Sequence, residues 1–255
     1  PRFRAVAAGQ RVRFRAAGIA IRQPKVVTRQ GRRFAGERSM KANFKPHEID
    51  YHTLRLIVGL SAMFLARLTV LLSGESLASI SDAYHQGGWA RDVLVGILFA
   101  IASFLIAYNG ASSTEMLLSK LAAVSALGVA LFPCECGTGE EILPYVHYVS
   151  AAVLFAVLAW FCLIFFRRAR GKGHREAIWR SWLYGLCCAV IVLVMLVLAF
   201  DHFAGGPISN KVPRLVFQGE QAALFAFGVS WLVASRVLPG ITDPRERISV
   251  LPVAR

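Results

Sequence analysis

Residues 150–166 read SAAVLFAVLAWFCLIFF, a run that contains no charged residue. Residues 94–108, LVGILFAIASFLIAY, form a second run of the same kind. A strand of a membrane barrel alternates apolar and polar residues over about 10 positions, whereas a membrane-spanning helix needs about 20 mainly apolar residues in succession. Neither run alternates, so the sequence predicts an all-α fold, a polytopic membrane helix bundle.

The composition of the whole chain supports this class. Hydrophobic residues make up 56% of the sequence and charged residues 17%, whereas soluble domains contain about 25% charged residues. The mean hydropathy is +0.52. Apolar stretches long enough to approach a bilayer crossing occur six times, and the sequence therefore predicts six transmembrane helices at roughly 54–73, 93–108, 117–133, 146–166, 181–200 and 215–238.

Most of the net charge of +14 lies in the first 39 residues, where eleven Lys and Arg stand against the single acid Glu37. We interpret residues 1–39 as an over-extended start that precedes Met40 or as a disordered basic arm on anionic lipid, with a targeting segment as a third reading. No folded basic module accompanies the charge, so no nucleic-acid partner is expected. Residues 40–240 are the predicted transmembrane domain, and residues 241–255 a cytoplasmic tail.

Orientation follows from the basic loops, because short loops rich in Lys and Arg stay cytoplasmic. The loop at 167–180, RRARGKGHREAIWR, has six cations and one acid. An even number of spans then places both termini in the cytoplasm. We expect a multi-pass protein of the plasma membrane whose partners are membrane lipids.

With this orientation, ionisable residues concentrate at the outer end of the predicted spans. Such groups are costly in a bilayer unless paired or hydrated, and each is a hypothesis of function. We predict an outward-facing polar pocket lined by Arg67, Ser81, His85, Asp92, His147 and Glu220. The alternative is structural, an interhelical ion pair of Arg67 with Glu220 or Asp92 that only fixes the packing.

The stretch at 79–92, SISDAYHQGGWARD, contains the residues most typical of a catalytic or metal-binding site. Spacings of four and seven residues place Ser81, His85 and Asp92 on one helical face, unless the helix begins only after Gly87 and Gly88. His85 and His147 with a carboxylate would suffice to hold a metal such as zinc that activates water. In that reading Ser81, Asp92 and Glu220 are the candidate catalytic groups.

Arg67 with Asp92 and Glu220 form the candidate binding set. In the metal reading Arg67 would steady an anionic group of the substrate. Without a metal, His85 paired with Asp92 could serve as an oriented general base.

The motifs SISDAYHQGGWARDVLVG, LGVALFPC, VHYVSAAVLFAVLAWFCLIFF and FQGEQAALFAFGVSWL together resemble a bacterial six-span family broadly similar to the Frag/DRAM/Sfk-type membrane proteins. The resemblance covers residues 50–240 and implies six helices in a bacterial inner membrane, but no reaction. A weaker similarity is to alkaline-ceramidase-type transmembrane hydrolases, whose Ser and His spacing matches Ser81 and His85 and whose later Asp would be Asp92. The last span departs from that pattern, since it offers Glu220 and no histidine.

Three functions from different classes remain open at this point. The first is a non-enzymatic role in lipid binding, sensing or assembly. The second is a metal-dependent hydrolase of a lipid amide or ester. The third is a small proton-coupled transporter that uses Asp92 and Glu220, although the first and last three spans show no evident internal similarity of the kind transporters have.

Overall fold

The structure is a computed structural model that describes residues 50–134, 143, 145–244 and 246. These residues form helices and connecting turns, with no strand among them. Seven helices follow in chain order, α1 Tyr51–Ser73, α2 Ala83–Gln86, α3 Gly88–Ala107, α4 Ser113–Leu131, α5 Val146–Arg170, α6 Arg175–Phe203 and α7 Leu215–Ala234. The segment 1–39 and ten of the fifteen residues of the predicted tail lie outside the described residues.

The six long helices pack side by side as a closed ring. α1 packs against α3, α3 against α4, α4 against α5, α5 against α6, and α6 against α7, which returns to α1. Each connection between long helices therefore joins ring neighbours, as expected where consecutive elements lie adjacent in space. The short α2 packs on the start of α3.

Five of these helices, α1, α3, α4, α5 and α6, are long and apolar enough to cross a bilayer by length and composition. Large apolar side chains point away from the bundle, including Leu71, Leu117, Val124, Leu193 and Leu196, each more than 60% exposed. A soluble protein rarely leaves so much apolar surface in contact with water. The chain is therefore a multi-pass α-helical membrane protein.

α7 has the length of a span but is not among the helices whose hydropathy qualifies them as spans, because Gln218, Glu220 and Gln221 lie in its first two turns. It nevertheless contributes much of the interior, with Phe227 and Trp231 almost completely buried. The Trp231 ring lies 5.4 Å from Phe161 of α5 and 5.3 Å from Tyr108 at the end of α3. This aromatic cluster fills the bundle just beneath the charged residues described below.

The predicted apolar stretches agree with the helices to within a few residues at most ends. The alignment of Ser81, His85 and Asp92 on one helical face is wrong, because Gly87 (φ 71°, ψ −162°) separates α2 from α3. Only a glycine adopts this conformation readily, so the helix is interrupted at Gly87. Ser81 precedes α2, His85 lies in it and Asp92 belongs to α3.

Candidate functional site

Two of the predicted outer residues meet in one cavity between the helices. Ser81 and Glu220 line a space of about 40 Å³ whose remaining walls are apolar side chains from five elements, among them Leu65, Leu94 and Phe155. Glu220 Oε2 accepts a hydrogen bond from the backbone N–H of Ile80 at 2.6 Å. This outer cavity is thus mostly apolar, with one carboxylate that also fastens the loop before α2.

The two histidines of the predicted metal site both bind the backbone where α4 ends. His85 Nε2 donates to the Cys134 carbonyl at 2.6 Å, and His147 Nδ1 donates to the Phe132 carbonyl at 2.7 Å. Since a carbonyl oxygen only accepts, these ring nitrogens must bear the protons. Each histidine therefore anchors the exit of α4, and their role as metal ligands stays a prediction.

Arg67 and Asp92 are exposed on the faces of their helices that point away from the bundle. Arg67 is exposed on α1. The side chain of Asp92 is 62% exposed and pairs with the neighbouring Arg91, whose Nε lies 3.5 Å from Asp92 Oδ1. An exposed pair of this kind contributes little to stability. Neither residue lines the outer cavity with Ser81 and Glu220.

The main concentration of buried charge lies at the opposite end of the bundle, around Glu115. The Glu115 side chain is fully buried, and Arg168 Nη2 of α5 donates to its Oε1. The other oxygen, Oε2, accepts from the Tyr108 hydroxyl at 3.0 Å and lies 3.8 Å from Arg55 Nη2 of α1. One carboxylate thus joins α1, the end of α3, and α5.

The local sequence explains why a glutamate occupies this place. Ser112 caps α4 by accepting a hydrogen bond from the Glu115 N–H at 3.2 Å, and Glu115 Oε2 accepts from the Ala111 N–H at 3.3 Å. This reciprocal arrangement resembles a capping box, in which a serine and a glutamate three residues later satisfy each other's helix end. The negative charge also suits the positive end of the helix dipole.

Arg55 is buried in the second turn of α1 and is held from several sides. Its Nε and Nη2 donate to the Tyr108 hydroxyl at 3.1 and 2.6 Å, and Nη1 donates to the Ala234 carbonyl at 3.2 Å. Its guanidinium lies 5.0 Å from the centre of the Phe165 ring, within cation–π range. Arg55 therefore links the ends of α3 and α7 to the start of α1.

Beside the contacts of Glu115 and Arg55, towards the same end of the bundle, lies a small cavity that we call the basic cavity. Its volume is about 40 Å³, and five of its lining side chains are cationic while the rest are neutral. The cationic lining residues are Arg55, Arg168, Lys172, Arg180 and Arg236. Within the described part of the chain, two carboxylates bind these cations, Glu115 from below and Glu246 from the segment after α7. The cavity therefore has an excess of positive charge.

Glu246 occupies the position of an anion at this cavity. Its Oε2 accepts from Arg180 Nη2 at 2.8 Å, and its Oε1 accepts from Lys172 Nζ. Partial burial favours the protonated acid, but the hydrogen bonds from Lys172 and Arg180 outweigh it and lower the pKa of Glu246 to about 2. The carboxylate is thus ionised throughout the physiological pH range.

Arg236 reaches the basic cavity from a strained backbone. Its φ of 59° lies in the left-handed region, which costs a residue with a side chain about 1–2 kcal/mol and a glycine almost nothing. An arginine at the position after a helix where glycine is common indicates that the side chain itself is useful there.

Sequence reasoning placed the candidate site at the outer end and did not predict the basic cavity. In the sequence, the cations at 167–180 indicate orientation alone, and Glu115 lies just before the predicted third span. The stretch SSTE at 112–115, directly before an apolar run, is the signal that could have identified a capping glutamate.

A group of possible metal ligands occurs near the same end. Among the described residues, the side chains of His174, Glu176 and Asp243 form a cluster of three, and their ligand atoms all lie within 4.8 Å of one another. Neither His85 nor His147 belongs to it.

No family model, no curated protein and no solved structure matches the chain.

Proposed function

We propose that this protein is a six-span membrane protein that binds the phosphate-bearing headgroup of an anionic lipid in the basic cavity. The observation that supports this most directly is the convergence of five cationic side chains on one space between helix ends. Basic pockets between transmembrane helices on the cytoplasmic side are a recurrent way to bind anionic headgroups. Of the three functions predicted from the sequence, this is the lipid-binding or sensing role, moved to the inner end.

Six crossings are supported by the direction of the helices at the basic cavity. α1, α4 and α6 begin near it with Arg55, Glu115 and Arg180, whereas α3, α5 and α7 end near it with Tyr108, Arg168 and Ala234. Alternating directions of this kind are what six successive crossings require. α7 is 20 residues long, about 30 Å, and its Glu220 lines an interior cavity, so its lower hydropathy does not oppose a membrane location.

The orientation is tested by fusing a reporter that is active only outside the cytoplasm. We expect fusions at the loop 171–174 and after residue 240 to be inactive, and fusions at 109–112 to be inactive as well. A fusion between α6 and α7, at 204–214, should be active. An active reporter after residue 240 together with an active one at 204–214 would mean that α7 does not cross.

Arginine and lysine side chains suit a phosphate for a physical reason. Guanidinium groups donate paired hydrogen bonds to phosphate oxygens, and a charged pair in a partly dry site is less screened than one in water. Arg180 is almost fully buried and Arg55 is held in place by Tyr108, so little side-chain entropy is lost when a ligand binds.

The experiment compares lipid binding by the full chain in detergent, wild type against Arg236→Gly. The substitution removes one cation from the cavity while placing glycine where the backbone prefers it, so we expect an unchanged or higher melting temperature. Affinity for phosphatidylglycerol should fall about tenfold, since a hydrogen bond to a charged group is worth about 1.5–3 kcal/mol. Native mass spectrometry with phosphatidylglycerol and phosphatidylcholine gives the readout.

Two controls make the result specific. Arg91→Gln removes an exposed cation elsewhere and should leave the affinity unchanged. Inorganic phosphate should compete only weakly; if it binds as tightly as the lipid, the ligand is a soluble anion instead. Equal binding of phosphatidylglycerol by wild type and Arg236→Gly would contradict the proposal.

Replacement of Glu246 tests the same site in the opposite direction. Glu246→Gln removes the negative charge that competes for Lys172 and Arg180, so we expect a rise of about three- to tenfold in affinity for phosphatidylglycerol. Because the pKa of Glu246 is lowered, its contact stabilises the fold above its ordinary pKa near 4.5 and is lost only as the pH falls towards 2. Wild-type affinity should therefore show no step from Glu246 between pH 5 and pH 8. A fall in affinity in Glu246→Gln would mean that the carboxylate helps to build the site.

A further inference from the structure

The segment after α7 meets the start of α6 through side chains that suit a divalent metal ion. His174 and Glu176 flank the first residue of α6, and Asp243 lies in the segment that follows α7. Their ligand atoms lie within 4.8 Å of one another. A tetrahedral metal with bonds of about 2.1 Å holds its ligand atoms about 3.4 Å apart, so side-chain movements of roughly 1 Å would close the set.

A second observation concerns the imidazole of His174. Its Nε2 atom is excluded from solvent and has no hydrogen-bond partner among the described residues. A buried ring nitrogen left in this state costs free energy that a ligand bond would recover. His174 is the N-cap residue of α6, yet its side chain makes no capping bond, so the ring is not used to finish the helix.

The segment that supplies Asp243 is docked on the bundle. Thr242 is only 4% exposed, and the Glu246 N–H donates to the Asp243 carbonyl at 2.8 Å, which forms a turn. The side chain of Glu246 then reaches Lys172 and Arg180. Asp243 is therefore presented to His174 and Glu176 by a shaped turn fixed at both sides.

We propose that His174, Glu176 and Asp243 form a divalent transition-metal site that fastens the C-terminal segment to the start of α6. One imidazole and two carboxylates are a ligand set that suits Zn²⁺ or Mn²⁺, and the remaining coordination positions are filled by water. The site differs from the one predicted at His85 and His147 and lies at the other end of the bundle. It does not depend on lipid binding in the basic cavity.

The test measures Zn²⁺ binding to the full chain in detergent after removal of metals with a chelator. Competition with a chromophoric zinc indicator should show about one equivalent bound to wild type. His174→Ala and Asp243→Asn should each lower the affinity by tenfold or more, because each removes one of three ligands. His202→Ala is the matched control, since His202 is an exposed histidine at the far end of α6, and it should bind like wild type.

A second readout does not depend on the equilibrium measurement. Bound zinc should slow tryptic cleavage at Arg245 and Arg247 several-fold in wild type and leave the rate unchanged in His174→Ala. Melting temperatures of the metal-free proteins show whether each variant is folded. Zinc that binds wild type and both ligand variants equally, or no zinc in folded wild type, would overturn the proposal.

Discussion

Glu115→Ala is expected to cost about 3–5 kcal/mol of stability, the loss that follows when one partner of a buried ion pair is removed. Glu115 is fully buried and its two oxygens bind Arg168, Tyr108 and Arg55. Without the carboxylate, Arg55 stays buried and loses the ion pair that it forms among the residues the structure describes. The loss is therefore dominated by an uncompensated charge and not by the missing side-chain volume.

Graded variants separate the charge from the hydrogen bonds. Glu115→Gln keeps the shape and one acceptor, so we expect a smaller loss than in Glu115→Ala. Arg168→Ala should cost less again, because the Glu115 carboxylate keeps the hydrogen bond from Tyr108 at 3.0 Å and the Arg55 guanidinium 3.8 Å away. If the three losses are equal, the buried charge on Arg55 is not what makes Glu115 important.

The measurement is reversible unfolding in mixed micelles, followed by the loss of helical signal as denaturing detergent is added. Glu75→Ala is the matched control, because Glu75 is an exposed glutamate in the turn after α1, and its loss should lie within about 0.5 kcal/mol of wild type. A control loss as large as that of Glu115→Ala would show that any carboxylate removal destabilises this bundle.

The helices themselves were predictable because they depend on local composition. The apolar run at 150–166 lies inside α5 at 146–170, and the run at 94–108 ends one residue beyond α3. Helix ends are harder to predict, because they depend on capping residues such as Ser112. Such residues lie in short polar stretches, which an average of hydropathy over many residues does not detect. α4 therefore begins at Ser113, four residues before its predicted start.

The basic cavity could not be predicted because its members are distant in sequence. Arg55, Tyr108, Glu115 and Arg168 meet only when the ring closes. In the sequence alone, Arg168 is a loop cation that indicates orientation, and Glu115 is a polar residue outside a predicted span. The sequence favours the outer end because charged residues there lie inside or beside apolar runs, where an ionisable group is costly.

The second large effect is expected at the contact between α1 and α7, where two glycines face each other. A Cβ atom added to Gly228 would lie 2.6 Å from the Gly59 carbonyl oxygen and 2.3 Å from Met63 Cγ. One added to Gly59 would lie 2.9 Å from the Gly228 carbonyl oxygen. The backbones touch, as at small-residue interfaces of membrane helices, so neither substitution fits unless the helices separate.

Gly228→Ala should therefore destabilise the protein by about 1–3 kcal/mol, the usual cost of overpacking, and Gly228→Val by more. Gly96→Ala is the matched control, because nothing lies within 4 Å of a Cβ built at Gly96 of α3. Alanine favours helix over glycine by about 1 kcal/mol, so this control should be neutral or slightly stabilising. A Gly228→Ala protein as stable as Gly96→Ala would show that α1 and α7 are not in backbone contact.

Separation of α1 and α7 should also reach the basic cavity. Arg55 of α1 donates to the Ala234 carbonyl at the end of α7, and His52 Nδ1 lies 3.1 Å from the Ser235 carbonyl. Both contacts cross the same interface and position Arg55 and Arg236 relative to each other.

We therefore expect Gly228→Ala to weaken phosphatidylglycerol binding several-fold under conditions where it is still folded, while Gly96→Ala retains wild-type affinity. Native mass spectrometry below the melting temperature of both variants makes the comparison. Wild-type affinity in a folded but destabilised Gly228→Ala protein would mean that the headgroup does not depend on the α1–α7 contact.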